Sequence, residues 1–366
     1  MKKNYLLITF IVALIGLTVF DVITTDREFS DVENRKLNQK VKFSLEGFLD
    51  GSFQKDYEKY VNDQFIQRDL WIDIKSRGEF ALGKIENNGI ILGEDKYLFD
   101  KFTKVNEERV ENNTNALNIF IENNDERVSL MIIPNSYEIY KEKLPTGSPV
   151  INQEEAIDKI YDSVKNANNV EVLDMLNENK DDYIYYRTDH HWTTYGAYLA
   201  YEKYMKSIGE TPISIKEMQG IELDGFYGTY FSKAKPFNVP GDELTYYEMN
   251  NRDMVVDGKE FESMYDLSKS DIRDKYSLFL NGNNGLTIIK NKELNNGKKI
   301  LVLKDSFGNS FAPFLTANFE EVHLVDLRHY QQFMSIYTKQ NEFDEILVLY
   351  NYQNFATDIN LLKFKY

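Results

Sequence analysis

The feature that most restricts what this chain can fold into is a rhythm near its end. Short apolar runs at 300–303, 322–327 and 346–349 alternate with helix-patterned stretches at 309–318 and 331–340. The same texture begins upstream: 107–124 reads as a helix, 128–133 as a buried strand stopped by Pro134, 154–166 as a helix and 170–173 as another strand. Strands that alternate with helices cannot pair as hairpins. They demand a parallel sheet covered on both faces and joined by right-handed crossovers. In such sheets ligands gather at the carboxyl ends of the strands. The expected fold class is therefore α/β with a central, mostly parallel sheet, and chemistry is to be sought just after each strand.

The beginning of the chain has another character. Lys2 and Lys3 precede an apolar run from Tyr5 to Phe20 broken only by Thr9, Gly16 and Thr18. Sixteen helical residues span about 24 Å, so the run must extend past Asp21 or its ends must snorkel to cross a bilayer core of about 30 Å. The leading lysines keep the start cytoplasmic and send the rest across. No small-residue cleavage pattern follows, which favours a retained anchor over a removed signal peptide. Residues 1–25 are thus read as the anchor or signal segment. Residues 26–103 read as a membrane-proximal segment of two helices, 46–62 and 65–80, and a hairpin of 89–93 with 97–99. Residues 104–366 read as the α/β domain, interrupted around 210–297 by an irregular insertion rich in Tyr, Gly, Asp and Asn.

Composition removes several kinds of chemistry. The chain has 43 Lys plus Arg against 59 Asp plus Glu, a formal charge of −16, and no basic stretch, which argues against nucleic acid as a partner. It has no Cys, so disulfides, thiolate nucleophiles and Cys-ligated metals are excluded. With four His, a metal site would lean on carboxylates. Adjacent His190 and His191 point apart in an extended segment, and zinc needs three or four protein ligands, so no metal and no cofactor are expected.

Two constellations carry chemistry. Arg187-Thr-Asp-His-His-Trp-Thr-Thr-Tyr195 opens a helix whose N-cap is Thr193 or Thr194. In an extended segment Asp189 and His191 share a side, while His190 points elsewhere. A carboxylate beside an imidazole holds its Nδ1–H and stabilises the imidazolium that forms when the other nitrogen takes a proton. Lys304-Asp-Ser306-Phe-Gly-Asn309 lies where a buried strand gives way to a helix. That junction exposes the Ser306 hydroxyl at the sheet edge beside backbone N–H groups suited to an oxyanion.

Asp189-His-His-Trp192 at the head of a helix, followed far downstream by Lys-Asp-Ser-Phe, resembles the DHHW family. That family is similar to the alginate O-acetylation proteins of the SGNH-hydrolase-like superfamily. The resemblance extends to Val32-Glu-Asn-Arg35, Asp63-Gln-Phe65 with Arg68-Asp69, Asp326-Leu-Arg328 and Tyr350-Asn-Tyr-Gln-Asn354. It implies a three-layer SGNH-like fold and a triad of Ser306, His191 and Asp189. It further implies that Asn283, in the loop Asn281-Gly-Asn-Asn-Gly285, supplies an oxyanion donor. The sequence departs at Lys304, where the alginate proteins commonly have Gly. A lysine there would crowd or recharge the site.

Arg328 and Asn351 follow two strands at the same edge, where a guanidinium or an amide could polarise a carbonyl. Tyr227, in Asp224-Gly-Phe-Tyr-Gly-Thr-Tyr-Phe231, offers a face on which a sugar could stack. The expectation is an extracytoplasmic serine O-acyltransferase held at the cell membrane by its N-terminal helix. It would act on a cell-envelope or exported polysaccharide, supplied by an integral-membrane acyl-donating partner. The alternatives are a polysaccharide O-acetylesterase and a non-catalytic glycan-binding scaffold.

Overall fold

A computed structural model describes residues 2–30 and 35–365. Residues 32–34 of the Val32–Arg35 motif lie outside the described residues. The chain divides into two compact units, Met1–Asn87 with Ser232–Asn238, and Asn88–Phe231 with Val239–Tyr366.

In the first unit, helix α1 (Lys2–Ile23) runs 22 residues, about 33 Å at 1.5 Å per residue. The helix is therefore longer than the apolar run, because residues 2–4 precede the run and 21–23 continue it. The 18-residue stretch Asn4–Asp21 has a mean hydropathy of 1.9 and is unburied, so the helix is long and apolar enough to cross a membrane. Helices α2 (Ser52–Gln64) and α3 (Arg68–Ala81) follow. The Asp21 carboxylate accepts the Ile66 N–H at 2.9 Å, which ties the end of α1 to the turn between them. Asp63 is buried and receives Arg35 at 2.6 Å along with the backbone and side chain of Asn38. Those bonds, Arg35 first, hold its carboxyl well below the usual carboxylate range.

The second unit is built on an eight-stranded sheet. Its strands in chain order are β1 (Arg127–Ile133), β2 (Asn168–Asn169), β3 (Arg252–Val256), β4 (Lys259–Phe261), β5 (Leu286–Asn291), β6 (Lys299–Lys304), β7 (Glu321–Val325) and β8 (Glu345–Asn351). The spatial order is β4-β3-β5-β7-β6-β8-β1-β2. The five strands from β7 to β2 are parallel; β5, β3 and β4 continue the sheet antiparallel from the β7 edge.

The apolar runs are continuous because side chains alternate between two cores. Ile300 and Val302 of β6 enter one core, and Leu301 and Leu303 enter the other. β1 and β8 divide in the same way, with Met131 and Leu347 on the first side and Leu130 and Val348 on the second. Parallel strands buried on both faces need no polar alternation. One face is covered by helices α6 (Thr194–Ser207) and α7 (Gly308–Leu315), through Tyr198, Tyr201 and Phe311. The other is covered by helices α4 (Glu107–Glu122), α5 (Gln153–Ser163) and α8 (Met334–Gln340), through Leu117, Phe120, Ile157 and Tyr337. The result is a three-layer α/β fold.

Some segments differ from the sequence reading: the helix expected over 46–62 is broken at Gly51, whose φ is +81°, into Leu45–Leu49 and Ser52–Gln64. The strand at 170–173 is displaced to the short β2; Val170 and Val172 are core residues, and Leu173–Glu178 turns helical. The irregular middle is not all loop. Arg252–Val256 and Leu286–Asn291 bury Met254 and Ile289 while facing outward with charged residues, and so pair onto the sheet. The hairpin Ile90–Leu92 with Leu98–Asp100 forms as its spacing indicates.

Candidate active site

The parallel strands point one way, so their ends deliver Ser306 after β6, Arg328 after β7, Asn351 at the end of β8 and Asn135 after β1 to one edge. Ser306 stands between β6 and α7 and is nearly buried. The turn that carries it is held by Asp305. One of its carboxylate oxygens accepts the Phe307 N–H at 2.9 Å; the other accepts the Asn351 N–H at 2.8 Å and Asn354 Nδ2 at 2.7 Å. Asp305 is thus fully committed to the local backbone, although burial pushes its pKa up.

All four residues of the Asp-His-His-Trp motif have partners. Asp189 Oδ1 accepts the His191 backbone N–H at 3.0 Å and lies 2.5 Å from His191 Nδ1. His191 Nε2 lies 2.8 Å from Ser306 Oγ. The remaining Asp189 oxygen accepts the Thr229 N–H at 2.7 Å and the Thr229 hydroxyl at 3.1 Å. Trp192 Nε1 donates to the Phe307 carbonyl at 3.1 Å and to Ser310 Oγ at 3.0 Å, which pins the first turn of α7 beneath the serine. Thr193 caps α6 by accepting the Gly196 N–H at 3.2 Å.

His190 does not point away as strand alternation suggests. The Asp189 carboxylate turns back onto the His191 N–H, an Asx-type bend in place of extended chain. The bend brings the two imidazole centroids to 3.7 Å with the rings tilted by 39°, and brings His190 Nδ1 to 3.4 Å from Asp189 and 2.7 Å from Thr229 Oγ1. His191 also stacks on Tyr276, with ring centroids 3.7 Å apart and the planes nearly parallel. The Tyr276 hydroxyl donates to the Ser306 carbonyl at 2.9 Å.

Burial governs the protonation states. It pushes the His191 pKa down to about 4, the His190 charge acts in the same direction, and Asp189 opposes both. Burial alone would raise Asp189, but the two imidazoles hold its carboxyl well below the ordinary range. At neutral pH the pair is therefore carboxylate and neutral imidazole. Nδ1–H faces Asp189, and Nε2 is free to accept the Ser306 hydroxyl proton.

Glycine and a distant carboxylate make room for this row. A Cβ on Gly228 would sit 2.2 Å from both Cβ and Oδ2 of Asp189. Asp242 is buried and accepts the Arg187 N–H at 2.9 Å, the Thr188 N–H at 2.8 Å and the Thr188 hydroxyl at 2.6 Å. Thr188 Oγ1 in turn accepts the Gly228 N–H at 3.1 Å, so the two loops that flank Asp189 are braced together. Sequence patterning gave no sign of Tyr276 or Asp242; the glycines interleaved with aromatics at 225–228 were the available hint of close packing.

The other candidate residues are distributed unequally. Asn351 Nδ2 donates to the Ile133 carbonyl and to Asn135 Oδ1, both at 3.0 Å, and its Oδ1 caps the next helix at Gln353, so its amide is occupied by the fold. Arg328 forms a two-pronged pair with buried Asp326, Nε to Oδ1 at 2.9 Å and Nη2 to Oδ2 at 2.6 Å. Tyr227 packs on Phe231, with the Arg273 guanidinium over both rings. Asn283 is exposed and accepts Asn309 Nδ2 at 3.0 Å. Lys304 does not cover the serine. Its stem packs where a Gly308 Cβ would fall, and its Nζ donates to Asn309 Oδ1.

The Phe307, Gly308 and Asn309 amides at the start of α7 are already engaged by Asp305 and Ser306. The Ser306 N–H has no acceptor among the described residues. Asp189, His190 and His191 could also gather around a cation, since their ligand atoms lie within 4.8 Å of one another. In the observed arrangement those atoms face one another, Thr229 and Ser306.

Comparison with known proteins places this geometry in context. A DHHW family protein from Eubacterium siraeum superposes with a TM-score of 0.68 at 24% identity, covering 77% of this chain and 96% of its own. Bacillus cereus PatB1, in a structure carrying a sulfonyl adduct, superposes with a TM-score of 0.65 at 21% identity, covering 76% of this chain and 98% of its own. The O-acetyltransferase domain of Pseudomonas putida AlgJ is more distant, with a TM-score of 0.48 at 12% identity. No curated protein matches the sequence significantly. The family model described as DHHW protein matches residues 81–325, two thirds of the chain and every residue of the Asp189–His191–Ser306 row, and the chain belongs to the DHHW family.

Proposed function

We propose that this protein is a membrane-anchored, extracytoplasmic serine O-acyltransferase that moves an acyl group, an acetyl in the simplest case, onto a polysaccharide. The observation that carries the reading is the continuous hydrogen-bonded row in which His191 bridges Asp189 and Ser306 at 2.5 and 2.8 Å. A neutral imidazole in that position is the base a serine needs. Ser306 Oγ attacks the acyl carbonyl as its proton passes to His191 Nε2, and Asp189 stabilises the imidazolium at Nδ1. The tetrahedral oxyanion is met by the Ser306 N–H and by the amide of Asn283. Collapse breaks the bond to the leaving alcohol, which takes the proton from His191. A sugar hydroxyl then gives its proton to His191 and attacks the seryl ester, releasing the acylated sugar and returning the proton to Ser306.

Support for a sugar acceptor comes from Tyr227 and Phe231, which flank Gly228 and carry the guanidinium of the distant Arg273 over both rings, a platform of rings beside a polar group. The apolar α1 supports retention at a membrane, where an integral-membrane partner could hand over the acyl group. Water in place of the sugar hydroxyl would make the same site an esterase.

The test is direct. The full chain in detergent, treated with p-nitrophenyl acetate or an aryl sulfonyl fluoride, should gain one acyl or sulfonyl group on Ser306 by peptide mass spectrometry. Ser306→Ala should gain none. An unmodified wild-type Ser306, or equal burst release from both proteins, would overturn the serine-enzyme reading in favour of a glycan-binding scaffold.

A further inference from the structure

Lys304 is nearly fully buried, and no step above uses it. Its Nζ donates to Asn309 Oδ1, and Asn309 Nδ2 donates to Asn283 Oδ1 at 3.0 Å. An ammonium has three donors and no acceptor. Asn309 must therefore turn its oxygen toward Lys304, which leaves its NH2 for Asn283. Asn283 must then accept with its own oxygen, so its NH2 is the free end of the chain and has no acceptor among the described residues. Without a group that can only donate, both amides could flip together, and Asn283 would present a carbonyl instead. A carbonyl repels an oxyanion.

We infer that Lys304 is a positioning residue: by fixing the polarity of the Lys304–Asn309–Asn283 hydrogen-bond chain, it makes Asn283 a donor toward the oxyanion formed at Ser306. This inference rests on the serine-acyltransferase reading. It also explains how a lysine is accommodated beside the nucleophile: the stem lies under Gly308, and the charge is directed along α7. The groups facing the ammonium are Asp326 and Arg328 beyond β7 and Asp305 on its own turn. Burial, aided by Arg328 and opposed by Asp326 and Asp305, lowers the Lys304 pKa to about 8. Below about pH 8 Nζ can only donate. Above it the amine has a lone pair, and the polarity of the chain is no longer enforced.

The experiment compares wild type, Lys304→Met, Asn309→Asp and Ser306→Ala for acetyl transfer from p-nitrophenyl acetate across pH 6 to 10, with thermal melting on each sample. Asn309→Asp keeps the partner of Lys304 and removes the donor to Asn283, so it tests the chain even if Lys304→Met fails to fold. Loss of one oxyanion donor lowers kcat by about 10²-fold. Lys304→Met and Asn309→Asp should each approach that loss with KM changed less than about twofold, and the double variant should be no worse than the single ones. Wild-type kcat should fall as pH rises through about 8, and Lys304→Met should lack that limb. Folded variants with kcat within about threefold of wild type, or a fully additive double variant, would overturn the role of Lys304 alone. Activity surviving in Ser306→Ala would overturn the enzyme reading and this inference with it.

Discussion

Replacing Gly228 by alanine perturbs the site through one atom. The new Cβ would lie 2.2 Å from Asp189 Cβ and Oδ2, whereas ordinary contact begins near 3.4 Å, so Asp189 or the Gly228 backbone must move by about 1.2 Å. Asp189 has little freedom to yield. It is buried, one oxygen is held by His191 and the other by both the backbone and hydroxyl of Thr229. The backbone of Gly228 is tied to Thr188 Oγ1, which is tied to Asp242. Overpacking of this kind costs about 1–3 kcal/mol of stability. A shift of about 1 Å in a group that orients the base costs about 10²-fold in rate. Gly228→Ala should therefore lower kcat/KM for p-nitrophenyl acetate by about 10²-fold, with the loss in kcat, and lower Tm by a few degrees. The assay is burst-phase release of p-nitrophenol together with melting of the same preparation. A variant within about threefold of wild-type kcat/KM would mean that the Asp189 contact to His191 is not needed for the chemistry, and the proposed triad would fail.

Four further outcomes follow from the same geometry. Ser306→Ala removes only the bond to His191 and should leave Tm within about two degrees, since an unmet hydrogen bond costs about 1 kcal/mol, while abolishing the burst; a large melting shift would place Ser306 in the fold rather than the reaction. The pH dependence follows from His191, whose folded pKa of about 4 lies below its unfolded value, so its basic form persists in acid. Both kcat/KM and the stability linked to His191 should be fully present above about pH 6.5 and decline toward pH 4, and a limb centred at 6.5 in wild type would contradict the burial argument. His190→Ala removes a neighbour whose charge lowers the His191 pKa, and should move that acid limb upward while retaining activity above it. Extracting cell membranes with carbonate should leave the full chain in the pellet through α1; release of an N-terminally shortened protein would show that the apolar helix is a removed signal segment.

How much of this was readable in the sequence depends on whether the signal is periodic or merely close in space. The parallel core was readable because β6, β7, β8 and β1 carry largely apolar runs, with Ser129 and His323 the interior exceptions, and their alternating side chains fill both cores. Such runs have few alternatives as strands, and the residues just beyond them, Ser306, Arg328 and Asn351, had to reach one edge. What those residues do there is another matter. Asn351 reads as a polar group at the active edge, yet its amide is consumed by Ile133 and Asn135. Its neighbours in space are 216 and more positions away in sequence, and no local pattern reports them. The histidine pair fails for a different reason. Alternation assumes extended backbone, and a carboxylate two residues before an N–H can replace that geometry with a bend of its own. Asp189 is thus both the partner that holds His191 Nδ1 and the cause of the bend that brings His190 against it. Gly228, Thr229 and Tyr276 were hidden because they act from a loop, the start of the six-residue helix Thr229–Ala234 and the single 3-10 turn Lys275–Leu278, all too short to carry a period. Lys304 is the instructive case. Read one residue at a time, a charge beside a serine looks like an obstruction, but with Gly308 leaving room for its stem and the Asn309 oxygen accepting its hydrogen bond, the same charge becomes a source of direction. The Gly-Asn pair at 308–309 is what makes a lysine at 304 tolerable, and the three positions are best read as one unit.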